Sequence, residues 1–119
     1  MSSLVPFFGI VEDMPFIYGL RDPRDWTIRY IGRAAIPQNR YNIHLRHGAP
    51  KIKRWVSELR SCSLSPDLVV IEECPFGQQY RMREHYWIQV YQRDGKLLNT
   101  MPALSPEEII YLHLSPFGR

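Results

Sequence analysis

Three groups of side chains in this sequence are of types that do chemistry. The first is a carboxylate where a helix should be dry. On a helix that advances about 100° per residue, Tyr80, Glu84, Trp87 and Tyr91 share one narrow face. Three are aromatic, and the fourth must neutralise, pair with a cation or bind a metal, because a lone buried charge costs on the order of several kcal/mol. The second group is a stripe. Arg40, Ile43, His44 and His47 project to one side of a helix and Tyr41 and Leu45 to the other. Arginine forks match phosphate oxygens and His44 can exchange a proton near neutral pH, so a phosphate site competes with a plain solvated face. The third is a pair of tyrosines, Tyr18 and Tyr30, whose ordinary use would be as strand aromatics.

These groups need elements to hold them. FIYGL (16–20) and TIRYIG (27–32), joined across an Asp-Pro turn in RDPRDW, read as a β-hairpin carrying both tyrosines. NRYNIHLRHG predicts a short helix that starts at Gln38 or Asn39 and stops at Gly48. Pro50 opens a second helix with a core stripe of Ile52, Trp55, Val56 and Leu59 and an outer face of Lys53, Arg54 and Arg60. DLVVIEE (67–73) has the look of a buried central strand, with Glu72 and Glu73 at its end facing solvent or supporting a site. The Glu84 helix ends at Gly95, and KLLNTM, an extended segment, carries Asn99. Ser105-Pro106-Glu107-Glu108 is a capping box that starts a terminal helix. The order is β-β-α-α-β-α plus a tail: an α/β (α+β) domain with a small three-stranded mixed sheet flanked by helices. It divides into an arm over 1–15, a main domain over 16–101 and a tail over 102–119 packed on the same domain.

Composition narrows the classes. A chain of 119 residues with 45% apolar and 23% charged residues is one globular domain and not a disordered chain. The net charge of +3 suits a phosphate-binding surface. Cys62 and Cys74 sit in no zinc-ligand pattern and read as reduced thiols. No run is long enough to span a membrane and the N-terminus lacks a basic n-region, so a cytoplasmic protein, or a nuclear one in a eukaryote, is expected. Neither a GxSxG nucleophile nor a phosphate loop is present. Trp26, Trp55 and Trp87 are expected in the core or an interface, and His85 at the surface, pointing away from Glu84. The apolar arm (Leu4, Val5, Phe7, Phe8, Ile10) and the tail stripe (Ile109, Leu112, with Ile110 as a further candidate) are expected to cover the domain's own core, with a dimer interface as the other use.

Taken in order, these motifs resemble those of the GIY-YIG nuclease family over nearly all of residues 16–100. Phe16-Ile17-Tyr18 stands for Gly-Ile-Tyr, Tyr30-Ile31-Gly32 is the second motif, and the helix arginine and the histidine four residues on match Arg40 and His44. Glu84-His85-Tyr86-Trp87-Ile88 matches the metal-binding glutamate and its aromatic-Trp-Ile sequel, and Asn99 matches a late asparagine. The departure at position 16 removes a glycine without removing a side-chain role. The resemblance implies an endonuclease that needs one Mg²⁺ or Mn²⁺ on Glu84 and hydrolyses DNA with water to 5′-phosphate and 3′-hydroxyl ends. It implies Arg40 as the group that offsets transition-state charge and Tyr18 as the base, helped by Tyr30 or His44 and brought down from a pKa of about 10 by nearby positive charge. Asn99 would hold geometry by hydrogen bonds. Arg33, His47, Lys53 and Arg54 would contact nucleic acid. The expected partner is DNA, structured or branched DNA included, with a homodimer or larger complex supplying specificity. A non-cutting nucleic-acid-binding or assembly module and an RNA-directed nuclease remain as alternatives.

Overall fold

Alternation along FIYGL sends Ile17 to one side and Tyr18 and Leu20 to the other, and all three are fully buried. Their strand therefore needs cover on both faces. In the computed structural model, which describes residues 16–74, 80–99, 106 and 110, it has that cover. The elements are β1 (Phe16–Arg21), β2 (Ile28–Ala34), α1 (Pro37–His47), α2 (Pro50–Ser61), β3 (Asp67–Glu73) and α3 (Tyr80–Gln92), in the order and α+β class the sequence predicts. The sheet order is β2-β1-β3 and both pairings are antiparallel, so the small sheet is not mixed in strand direction. The N-terminal arm lies outside the described residues. So does the expected tail helix, apart from Pro106 and Ile110.

One strand takes a different place from the one expected. DLVVIEE forms β3 at the edge, with Val70 54% exposed, while β1 holds the centre. A short apolar run reads alike whether it is covered on both faces or on part of one, so the sequence of β3 could not separate the two. Against β1 its register slips between Ile17 and Tyr18, where Ile17 opposes Glu72 and Tyr18 opposes Val70. Bulges of this kind re-aim side chains beside sites, and this one lies at Tyr18.

Each face of the sheet has its own core. Tyr18 and Leu20 pack with Ile52, Trp55, Val56 and Leu59, the stripe expected of α2. Ile17, Ile28 and Ile31 pack with Cys74 and Ile88, with Tyr80, Trp87 and Tyr91 of α3 partly buried against them. Helix α1 has no fully buried residue; Tyr41 and Leu45 lean on the first core and Arg40 and His47 stay exposed. At the end of α3, Gly95 takes a φ of +72°, as its reading as a helix stop requires.

The turn of the β1–β2 hairpin is built around a carboxylate with no solvent exposure. Asp22 accepts from the Arg24 backbone N–H (2.8 Å), from the Arg24 guanidinium and from the Trp55 indole N–H (2.9 Å), and pairs with Arg29 at 3.0 Å. Those donors, the Arg24 side chain first, hold its pKa down at about 2. Its carbonyl oxygen also accepts the Trp26 N–H, which fixes Trp26 at φ +65° and leaves the indole 66% exposed with the Arg21 guanidinium 4.3 Å from its ring centre. Trp26 is therefore not a core residue, because the turn geometry turns it outward. Trp55 takes the buried place.

Because the folded pKa of Asp22 lies below the ordinary 3.8, its contribution to stability is complete above that value and is lost as the pH falls towards 2. Asp22→Ala should destabilise the fold by about 3–5 kcal/mol at pH 7, since it strands Arg24, Arg29 and the Trp55 N–H. Urea unfolding at pH 7 and near pH 2 checks this: the gap between variant and parent should shrink at the lower pH.

Candidate active site

The geometry starts from a glycine. Tyr18 and Gly32 are cross-strand partners, and the Tyr18 ring lies directly on the Gly32 Cα. A Cβ at position 32 would stand 2.5 Å from the phenol oxygen and 2.6 Å from the ring carbon that bears it. Only glycine leaves that space. The phenol oxygen, carried over β2 in this way, meets His44 Nε2 of α1 at 2.7 Å, a contact between residues 26 apart in the chain. Tyr30 completes the cluster, its ring centre 6.3 Å from that of Tyr18 and 4.8 Å, edge-on, from that of His44.

Electrostatics decide who holds the proton. Burial pushes the Tyr18 phenol well above its usual value, with Tyr30 and Glu84 adding to the rise and Arg40 opposing it. Burial pushes the His44 imidazole below its ordinary value, and Arg40 pushes it further. At neutral pH the phenol is thus protonated and the imidazole neutral, and with the imidazole proton on Nδ1 Tyr18 donates and Nε2 accepts. Arg40 lowers the phenol, as expected of it, but the desolvation of a fully buried ring outweighs one exposed guanidinium acting by itself. Tyr30 is raised as well, by burial first and then by Glu84.

Glu84 arrives from α3, on the other face of the sheet. Its side chain is 20% exposed, and its Oε1 lies 3.5 Å from Arg33 Nε of β2. Burial raises its pKa, while Arg33, Arg40 and Arg81 work in the opposite direction. Arg33 in turn lies over the Tyr80 ring at 4.4 Å, so the aromatic one turn before Glu84 holds the cation that faces it. Tyr18 and Tyr30 both feel the charges of Arg40 and Glu84, and His44 feels that of Arg40.

Asn99 plays a backbone role. Its Oδ1 accepts the Ile31 N–H and its Nδ2 donates to the Ile31 carbonyl, both at 2.8 Å, while the Leu98 N–H reaches the Arg29 carbonyl. It acts as a one-residue strand on the outer edge of β2 and fixes the peptide between Tyr30 and Gly32.

Glu72 is the member of the site's support that sequence reasoning left undecided. It accepts from Arg83 through Nε (3.0 Å) and Nη2 (2.9 Å) and from the Trp87 indole N–H (2.7 Å), clamping α3 to β3. Arg83 and Trp87 lie four apart on α3, and that spacing is the signal that could have assigned them one shared acceptor. His85, expected at the surface, is only 3% exposed, and its Nδ1 has no hydrogen-bond partner among the described residues. The reason is that α3 buries a broader face than its aromatic stripe, taking in Arg83, His85 and Ile88. His47, Lys53 and Arg54 are exposed and take no part in the Tyr18 cluster.

No family model, curated protein or solved structure matches the chain. Among the described residues no group of three or more His, Cys, Asp or Glu side chains is gathered as a metal cage. The donor set fits a hard divalent ion held through one carboxylate, with water and substrate oxygens completing its shell, because Glu84 is partly open to solvent and its charged form gains from added positive charge.

Gly32→Ala tests the steric basis of the cluster. The added methyl must displace the Tyr18 hydroxyl, so the variant should lose about 1–3 kcal/mol of stability, measured by urea unfolding, and the His44 ring resonances should shift in an NMR spectrum.

Proposed function

We propose that this chain is an endonuclease that hydrolyses DNA phosphodiester bonds by attack of water, with Glu84 as the ligand of a single divalent cation. The observation that carries the reading is the 2.7 Å contact between a protonated, buried Tyr18 and a neutral His44, with Arg40 and Glu84 acting on the same phenol. A structural tyrosine has no need of a neutral base on its hydroxyl and a carboxylate and a guanidinium beside it.

In this reading His44 is the proton acceptor and Tyr18 the relay. As water loses a proton to the Tyr18 oxygen, the phenol proton moves to His44 Nε2, so the tyrosine never carries the cost of a buried phenolate. The oxygen of that water bonds to phosphorus and the bond from phosphorus to the 3′ oxygen breaks, leaving 5′-phosphate and 3′-hydroxyl ends. The leaving oxygen takes its proton from solvent. Arg40 faces the charge that grows on the non-bridging oxygens. A Mg²⁺ or Mn²⁺ ion on Glu84 would supply Lewis-acid stabilisation of the leaving oxygen when bound. Arg33 and Tyr80 hold the carboxylate in place, and Asn99 keeps the strand that bears Tyr30 and Gly32 in register.

Incubation with supercoiled plasmid and Mg²⁺ tests this. Cleavage should cease with EDTA or Glu84→Ala and fall by about 10²–10⁴-fold with Tyr18→Phe or His44→Ala. Cleavage that survives Glu84→Ala contradicts the reading, and absence of cleavage on every DNA offered favours a binding module. Since His44 must be neutral to accept, the rate should hold steady down to pH 6.5 and decline below it as the imidazole is protonated.

A further inference from the structure

Charge is distributed unevenly over the fold. Residues 37–61, which make up α1, α2 and their junction, hold six of the chain's fifteen Lys and Arg residues and a single acid, Glu58. That acid is spent, since Arg24 of the hairpin reaches it at 3.0 Å. At the hairpin end the cations are neutralised: Arg21 pairs with Asp67, Arg24 and Arg29 with Asp22, and Lys96 with Asp25. Lys51, Lys53 and Arg54, all exposed at the start of α2, have no ion pair among the described residues.

The junction brings these cations up to the stripe on α1. At Gly48 a Cβ would come within 2.7 Å of the His44 carbonyl oxygen and 3.1 Å of Ile52, so the two helices meet at a corner that only glycine fits. Lys53 and Arg54 lie beyond it, beside an open depression that they line with Gly48, Pro50 and Ser57. His47 belongs to the Arg40–His44 stripe and stands about 10 Å along α1 from Arg40, at 1.5 Å per residue. Along the chain the stripe of Arg40, His44 and His47 is thus followed, across the corner, by the exposed cations Lys53 and Arg54, and the stripe alone is longer than one phosphate-to-phosphate step.

We propose that the α1–α2 corner is a second phosphate-contact surface, separate from the scissile site, on which His47, Lys53 and Arg54 hold the sugar-phosphate backbone of the flanking DNA. The proposal rests on the nucleic-acid reading above and gives it a direction: substrate leaves the cleavage site along α1 and crosses the first turns of α2. An anionic membrane is the less suited partner, because the outer face of α2 presents no large exposed apolar side chain to insert. Contacts of this kind hold the substrate in register without reading its sequence.

Fluorescence anisotropy on a short labelled duplex, using Glu84→Gln protein so that nothing is cut, tests it. Adding Lys53→Gln and Arg54→Gln should weaken binding by about tenfold or more and lower the slope of log affinity against log salt by about 2, equally for two unrelated sequences. Both positions are exposed, so an unchanged melting curve should accompany the loss. An unchanged affinity and slope would overturn the proposal. So would a loss confined to one sequence, or a loss seen on phosphatidylserine vesicles and not on duplex. If the catalytic reading alone is wrong, cleavage by the unsubstituted protein is absent while the slope change persists; if this proposal alone is wrong, cleavage persists and the slope does not move.

Discussion

The hydrogen bond between Tyr18 and His44 is the constraint on which the site depends. It joins the central strand to a helix that has no fully buried residue of its own, so the position of α1 on the sheet and the chemistry of the phenol are settled together. Three features make the bond possible. Gly32 vacates the space the ring occupies, the β3 bulge lies beside the tyrosine, and burial keeps the phenol protonated and the imidazole neutral. In water such a contact would contribute little; in a desolvated cluster it is electrostatically stronger and fixes direction as well as distance.

The rest of the fold secures the two ends of this arrangement. On one side the Asp22 knot ties the hairpin turn to α2 through Trp55, which stops β1 and β2 from sliding and keeps Tyr18 opposite Gly32. On the other, Glu72 grips Arg83 and Trp87 and so sets the rotation of α3, and with it the aim of Glu84 towards Arg33. These are polar contacts with low exposure and several donors each, the kind that specify one geometry. Lys51, Lys53 and Arg54, at the start of α2, take part in no ion pair among the described residues.

Much of this was legible in the sequence, and the failures are physical ones. The hairpin, the α2 stripe and the α3 helix follow from periodicity and turn chemistry, while Tyr18, Tyr30, Arg40, His44 and Glu84 were grouped only by the resemblance of their motifs. The edge position of β3 does not, because DLVVIEE is apolar enough for either place and only pairing decides. Trp26 and His85 changed places with expectation for the same reason: exposure depends on the turn that Asp22 imposes and on how broad a face α3 buries, and neither is a property of the residue itself. The burial of Tyr18 was also hidden, since a sequence announces the charge of Arg40 but not the desolvation that opposes it.

The most direct measurement is an NMR titration of the His44 imidazole with ¹⁵N-labelled protein. The ring should be neutral and protonated on Nδ1 at pH 7, with an apparent pKa below 6.5 and a change in the Nε2 shift on Tyr18→Phe as the donated hydrogen bond is lost. A pKa above 6.5, or an Nε2 shift indifferent to Tyr18, would contradict this proton placement.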